Sequence, residues 1–162
     1  RQDRGPQVSG PSRRDVVGGV AAAAAASLLL PFAAGRARAE SSLVIDGALT
    51  PRAVADELMG LIERAGPYGQ GNPQPRFAFP SHRVKFAKVV GGAHVRLVLE
   101  AGDGSRIEAI AFRAADQPLG ALLQETGGMP LHVAGHLRRD TWGGRNRIEL
   151  VIEDAADPRR QG

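Results

Sequence analysis

The spacing of apolar residues along the chain changes from a helical period to a period of two near residue 76. Before that point, the segment 43–47, Leu-Val-Ile-Asp-Gly, predicts a short strand that ends in a turn. Thr50 and Pro51 are typical of a helix start, and apolar residues at helical spacing follow them, namely Val54, Leu58, Leu61 and Ile62. Gly66 and Pro67 are typical of a helix end, so the pattern predicts one helix over 51–64.

After a Gly- and Pro-rich connection at 66–75, apolar and polar residues alternate as they do in half-buried strands. The alternation predicts strands at 83–90, 94–100, 106–113, 131–139 and 147–153, and a short helix at 118–125. The residues predicted to face the core are Val95, Leu97, Leu99, Leu131, Val133, Leu137, Ile148, Leu150 and Ile152. Three strands, a helix and two strands is the order of an OB-type barrel, in which the helix plugs one end. The sequence therefore predicts a mainly β fold: a five-stranded OB-type barrel with a helix between strands three and four, preceded by a linker helix.

Residues 1–40 differ from the rest of the chain in composition. Arg13 and Arg14 precede an uncharged, Ala-rich stretch at 18–34, and Ala37-Arg38-Ala39 follows it, which is the order of a twin-arginine export signal. An Ala-rich segment without such a role has the same composition. We therefore expect a disordered or signal-like leader at 1–40 outside the fold, a strand, helix and connecting loop at 41–75, and the barrel domain at 76–158.

Positive charge is concentrated in the predicted barrel. The 162-residue chain has a formal net charge of +4, and residues 76–147 hold eleven Lys or Arg against six Asp or Glu. Such a surface suits a polyanion such as nucleic acid, although an ordinary solvated surface of mixed charge has a similar balance. The absence of cysteine excludes disulfides, zinc–thiolate sites and a cysteine nucleophile.

The predicted loop between strands four and five carries the only tryptophan of the chain, Trp142, beside Gly143 and Gly144. OB folds bind oligonucleotides with this loop, and a tryptophan there can stack on a base while neighbouring arginines reach phosphates. In the alternative, Trp142 folds down over the barrel mouth as part of the core. With the outward strand positions added, the candidate nucleic-acid-binding residues are Arg83, Lys85, Arg96, Arg138, Trp142, Arg145 and Arg147.

The sequence offers no convincing catalytic or metal-binding set. His132 and His136 could share a metal in a helix, but in the predicted strand they are about 13 Å apart at ~3.3 Å per residue. No paired carboxylates, Ser-His-Asp set or phosphate-binding glycine fingerprint is found. We therefore predict no catalytic residues, no metal ligands and no cofactor in this chain.

The segment 66–77, GPYGQGNPQPRF, resembles the loop that joins the core of RecJ-type single-strand-specific DNA exonucleases to their OB domain. The similarity extends to residues 43–47, 110–113, 142–145 and 148–154, and spans about residues 41–158. It implies a 5′-to-3′ exonuclease of DNA repair and recombination that uses manganese or magnesium and works in the cytoplasm. The catalytic Asp-His-His motif and the Gly-Gly-Gly-His substrate-binding motif of that family do not occur in this chain.

The resemblance makes single-stranded DNA the expected partner, together with a nuclease core if one is encoded elsewhere, and it implies no role at a membrane. Two alternatives remain. The chain is an exported, periplasmic OB-type protein with another ligand if the signal-like segment at 12–39 is functional, or it is a purely structural domain that clamps a nuclease core.

By itself the chain is expected to bind single strands without cutting them, because two-metal hydrolysis of a phosphodiester requires several converging carboxylates. Purified protein incubated with manganese and an end-labelled single strand should leave the strand at full length. Shortening of the strand that a chelator abolishes would contradict this expectation.

Overall fold

The computed structural model describes residues 43–160, and the predicted leader at 1–40 lies outside this part of the chain. The elements in chain order are β1 Gly47–Ala48, α1 Asp56–Ala65, β2 Phe77–Val90, β3 His94–Glu100, β4 Arg106–Ala111, α2 Pro118–Gln124, β5 Pro130–Asp140 and β6 Arg147–Ala156. Short 3₁₀ turns lie at Pro51–Ala53, Trp142–Gly144 and Pro158–Arg160. Within the described residues, no helix is long and apolar enough to cross a membrane.

Strands β2 to β6 close into a barrel. Hydrogen-bonded neighbours follow the order β2-β3-β4-β6-β5, and β2 also pairs with β5, which closes the ring. The β4–β6 pair is parallel and the other four barrel pairs are antiparallel. Helix α2 lies between the third and fourth barrel strands, and β1 forms a short parallel pair with the start of β2. The predicted five-stranded barrel with a linker helix is therefore confirmed.

Strand β2 begins at Phe77, whereas the alternation predicted a start at residue 83. Residues 77–79 are all buried, so this part of the strand does not alternate. β2 pairs with β5 over 77–83 and with β3 over 83–90, and its register shifts between Phe79 and His82 and between Val84 and Phe86. Because β-bulges bend a strand and increase its twist, β2 can form hydrogen bonds with β5 along its first half and with β3 along its second half.

The barrel interior is filled by the residues that the alternation predicted to face inward. Most of them are fully buried, namely Val95, Leu97, Leu99, Leu131, Val133, Leu137 and Leu150. Ile152 is almost fully buried, and Ile148, at the start of β6, is partly buried. Leu123 of α2 closes one end of this core, and Met59 and Ile62 of α1 belong to the same cluster. The linker helix therefore packs on the barrel through apolar side chains.

The segment ahead of the barrel differs from the prediction in two places. β1 contains only Gly47 and Ala48. Asp46, just before it, forms two hydrogen bonds with Arg76: the Asp46 amide donates to the Arg76 carbonyl at 2.8 Å, and Asp46 Oδ2 accepts from the Arg76 amide at 2.9 Å. Pro51 begins a 3₁₀ turn, and the Thr50 side chain makes no capping hydrogen bond. The helix begins at Asp56, where two acidic residues in its first turn interact favourably with the helix dipole.

The Gly/Pro-rich loop at 66–75 caps the end of α1. The Tyr68 hydroxyl donates to the carbonyl of Ile62, and Asn72 Nδ2 donates to the carbonyl of Ala65 at 3.2 Å. These are carbonyls of the last helical turn, which lack intrahelical partners. Gln74 Nε2 then donates to the carbonyl of Leu137 in β5 at 2.8 Å, so the side chains of the loop attach both the helix end and the barrel.

Gly135 lies at the bulge of β5, and a Cβ placed there would be 1.9 Å from the carbonyl oxygen of Val151 on β6. Gly135→Ala should therefore lower the free energy of unfolding by about 1–3 kcal/mol or more, since overpacking forces the backbone to shift. Urea denaturation measures the change. Gly102→Ala is the matched control, because a Cβ there meets nothing within 4 Å, and it should alter stability by less than about 0.5 kcal/mol.

His82 is buried, its Nδ1 lies 2.9 Å from the Pro80 carbonyl, and burial lowers its pKa below the ordinary value of 6.5. The folded protein therefore binds this proton less readily than the unfolded chain. The contribution of neutral His82 to the free energy of unfolding should be complete above pH 6.5. It should be lost as the pH falls below 6.5 towards the pKa of His82 in the folded protein. Between about pH 7 and 5.5, the unfolding free energy of the wild type should fall more than that of His82→Gln. Equal slopes would contradict this role.

Candidate nucleic-acid interface

The outer face of β2, β3 and β4 carries basic and aromatic side chains among aliphatic and acidic ones. The register places Lys88 beside Arg96, and Arg96 beside Ile110. Phe86 pairs with Val98 on the same face, because opposite residues in an antiparallel pair point to the same side. Phe86 is 56% exposed and Phe112 is 43% exposed, so the face presents two aromatic rings to solvent.

A groove of about 560 Å³ runs from this face to the loop between β5 and β6. Arg96, Ile110 and Phe112 lie on its floor, and the other residues along it are Arg138, Arg139, Asp140, Thr141, Trp142 and Gly143. The groove thus connects the outer face of the barrel with the β5–β6 loop, which the sequence analysis identified as a candidate binding loop. It brings together Arg96, Arg138 and Trp142, three of the candidate residues.

Trp142 stands away from the barrel. Its side chain is 86% exposed, so the interpretation of Trp142 as a lid on the core is wrong. The Trp142 amide donates to Asp140 Oδ1 at 3.1 Å, and Gly143 and Gly144 follow with φ values of 67° and 75°. Glycine adopts this left-handed region without steric cost, which lets the loop turn back sharply while the indole remains in solvent.

Phe112 is the second aromatic residue of the groove, and two side chains fix its ring. His94 packs edge-on against it, with ring centroids 5.2 Å apart, and the guanidinium carbon of Arg138 lies 4.8 Å from its centroid. At the end of β4, the Arg113 amide donates to His94 Nδ1 at 3.0 Å while Arg113 adopts a φ of 53°. The strand therefore ends at Ala111 instead of the predicted residue 113.

Arg139 points away from Arg138 and attaches the linker helix. Its Nη1 donates to Asp56 at 2.6 Å and its Nε donates to Glu63 at 2.8 Å, both in α1. The hydrogen bond to Asp56, followed by that to Glu63, raises the pKa of Arg139. This residue lines the groove, but its guanidinium is already occupied by two carboxylates.

Arg83 and Lys85 do not join the groove. Arg83 pairs with Glu100 in register, and Lys85 Nζ lies 3.4 Å from Glu100 Oε1. Arg106 donates to the same carboxylate at 2.7 Å, and this hydrogen bond lowers the pKa of Glu100. Glu100 is four residues from Arg96 along β3, a separation of about 13 Å. Lys85 therefore belongs to a separate charged group around Glu100, and Arg83 lies opposite Glu100 in register without an ion pair among the described residues.

The last two predicted residues lie in or next to the β5–β6 loop and differ in their pairing. Arg147 donates to Glu108 of β4. Arg145 is exposed and makes no ion pair with any of the residues 43–160. Arg145 is therefore the predicted cation in this loop that is available to a ligand.

Sequence reasoning missed Phe86, Phe112 and the buried Glu149. Phe112 had a visible signal, because Ile107, Ala109 and Ala111 alternate inward and a phenylalanine in the next outward position is unusual. Phe86 is hidden by the bulge between Val84 and Phe86, which changes the alternation of β2. Nothing in the local pattern distinguishes Glu149 from a solvated outward residue.

The two histidines of β5 serve separate partners. His132 Nδ1 accepts from the Ser81 amide at 3.0 Å, and His136 Nδ1 lies 2.8 Å from Glu153 Oε1. Among the residues that the structure describes, no three His, Asp or Glu side chains are grouped so as to hold a metal ion. The side chains of residues 43–160 therefore do not fit the manganese or magnesium that the resemblance implies for the whole enzyme.

Residues 45–154 match the family model of the RecJ OB domain. The chain belongs to this family. The membership inferred from the loop at 66–77 is therefore confirmed, and the barrel with its β5–β6 loop is the OB domain of a RecJ-like protein.

The comparisons with individual proteins agree with the family. The chain is 28% identical over 117 residues to the single-stranded-DNA-specific exonuclease RecJ of Escherichia coli (strain K12), covering 71% of this chain and 19% of that protein. Crystal structures of RecJ from Thermus thermophilus with Mn²⁺ and with Mg²⁺ each superpose with a TM-score of 0.53 and 21% identity, covering 72% of this chain and 16% and 17% of theirs. The chain thus spans about a fifth of the length of these relatives, and the superpositions support the fold.

Proposed function

We propose that this chain is a single-stranded-DNA-binding OB module of a RecJ-like 5′-to-3′ exonuclease that acts in DNA repair and recombination. The observation that carries the proposal is the groove in which the exposed Trp142 and the half-exposed Phe112 flank the guanidinium groups of Arg96 and Arg138. Aromatic rings beside cations are the usual means by which OB folds hold single strands.

The exposed aromatic rings of the groove favour a single strand over a duplex. Stacking on Trp142 or Phe112 requires the face of a base to be accessible, and in a duplex that face is covered by the neighbouring bases. Because every base has such a face, stacking binds different sequences with similar strength. The module would therefore hold single strands with little sequence preference.

Phosphate contacts in this proposal come from the rim of the groove. Lys88, Arg113 and Arg145 are exposed and form no ion pair among the described residues. On a single strand, each phosphate neutralised by such a cation contributes about 0.7 to the salt dependence of binding. The rim would track the backbone while the aromatic residues hold the bases.

The module would act in the cytoplasm with a nuclease core that carries the metal-dependent chemistry. The name of the E. coli relative describes an exonuclease specific for single-stranded DNA. A binding module on such an enzyme would keep the strand attached between successive cuts. Manganese or magnesium belongs to the core in this proposal, because residues 43–160 offer no donor set for it.

The proposal predicts that Trp142→Ala weakens binding of a labelled oligothymidine of about 12 nucleotides, within the ~4–16 nucleotides that one OB fold covers. The expected loss is about 1–3 kcal/mol, the usual range for one stacked base. Since the indole is 86% exposed, the unfolding free energy should change by less than about 0.5 kcal/mol. Fluorescence anisotropy and urea denaturation measure the two quantities on the full chain.

Val44→Ala is the control for this experiment, because Val44 is also an exposed apolar residue and does not line the groove. It should leave the affinity unchanged. The proposal fails if the wild type does not bind the oligonucleotide, or if Trp142→Ala binds it as well as the wild type does.

A further inference from the structure

Glu149 is a buried carboxylate on the outer side of β6, beneath two arginines that line the groove. It is 1% exposed, although the alternation of β6 places it outward between Leu150 and Ile148, which face the core. Its cross-strand neighbours are Arg138 of β5 and Glu108 of β4. Charged side chains are almost never this deeply buried without partners, so its surroundings must compensate for the lost hydration.

Two arginines of the groove provide that compensation. Arg138 donates through both Nε, at 2.7 Å, and Nη2 to Glu149 Oε1. Arg96 Nη2 lies 3.9 Å from Glu149 Oε2 and 3.6 Å from Asp140 Oδ2. One carboxylate thus lies between two guanidinium groups that come from different strands.

The network is incomplete in its hydrogen bonds. Glu149 Oε2 and Arg96 Nε are buried and have no hydrogen-bond partner among the described residues. Arg96 is therefore held by charge without a hydrogen bond to either carboxylate; its Nε is buried, while its partly exposed side chain lines the groove. A buried ion pair contributes little net stability compared with apolar packing, so stability does not explain why a carboxylate lies here.

The charges in the groove floor also balance. Arg96 and Arg138 are opposed by Asp140 and Glu149. A floor with no net charge attracts phosphate weakly, but it still presents planar guanidinium groups with free N–H donors next to Phe112 and Trp142. Bases, with flat faces and acceptor atoms on their edges, suit such a surface better than the phosphate backbone does.

We propose that Glu149 is a positioning residue that holds Arg96 and Arg138 flat in the groove floor, so that the floor binds bases while the rim binds phosphates. This inference rests on the proposed function, because it assumes that the groove takes a single strand. It adds that the carboxylate of Glu149, although negatively charged, strengthens the binding of the bases of a single strand by holding the two arginines in place.

The test compares oligothymidine with an abasic oligonucleotide of equal length, which keeps the phosphates and lacks the bases. Glu149→Gln should lower the affinity for oligothymidine by about fivefold, the effect expected from one misplaced hydrogen-bonding group, and should leave the affinity for the abasic strand almost unchanged. Glu108→Gln is the matched control, because it removes an equal charge from a more exposed ion pair on the same face. It should leave the ratio of the two affinities at the wild-type value.

Two results would overturn the inference. If Glu149→Gln binds both strands more tightly, Glu149 acts only by repelling phosphate. If it weakens binding to both strands equally, Glu149 has only a structural role. A wild type that does not bind oligothymidine refutes the proposed function itself, before any variant is compared.

A second pair of variants keeps the test decisive if Glu149→Gln does not fold. Arg138→Lys retains the charge but loses the two-pronged hydrogen bonding of the guanidinium, and Arg147→Lys makes the same change in the exposed pair with Glu108. Arg138→Lys should reduce the ratio of the affinities for oligothymidine and the abasic strand, whereas Arg147→Lys should not. Equal ratios in the two variants would also overturn the inference.

Discussion

One strand, β2, has to pair with two neighbours, and the rest of the barrel depends on how it does so. Its first half is hydrogen-bonded to β5 and its second half to β3. The strand bends at two bulges, and β5 has a matching irregularity at Gly135, where the backbone of β6 comes too close for any side chain. Closure of the ring removes the free edges of the sheet and leaves its outer face as the surface for interaction.

The groove illustrates how a basic sequence can fold into a surface whose charge is largely compensated. Arg96, Arg138 and Arg147 each lie against carboxylates from neighbouring strands, and Arg139 binds two carboxylates of α1. The excess of positive charge is therefore carried by side chains around the groove. In the proposed interface, this division would separate the contacts that respond to ionic strength from those that depend on the bases.

The alternation of residues in β3 and β5 was sufficient to predict their inward sides, because β3 follows a period of two throughout and β5 departs from it only near the irregularity between Ala134 and Gly135. The start of β2 was not predictable in this way, since residues 77–79 are all buried against different parts of the fold. The start of α1 was misplaced because Thr50 and Pro51 have the residue types of a helix start, whereas here they form a separate 3₁₀ turn. The burial of Glu149 depends on arginines 53 and 11 positions away, a relation that only the barrel register reveals.

The loop at 66–75 and Arg139 together attach α1 to the barrel. Tyr68 and Asn72 bind the carbonyls that end α1, and Gln74 binds β5. Arg139 of β5 binds Asp56 in the first turn of the helix and Glu63 in its last turn. The helix is thus fastened to the barrel at both its end and its side. The orientation of α1 therefore sets the direction in which the groove faces, because these hydrogen bonds hold the helix and the barrel in one arrangement.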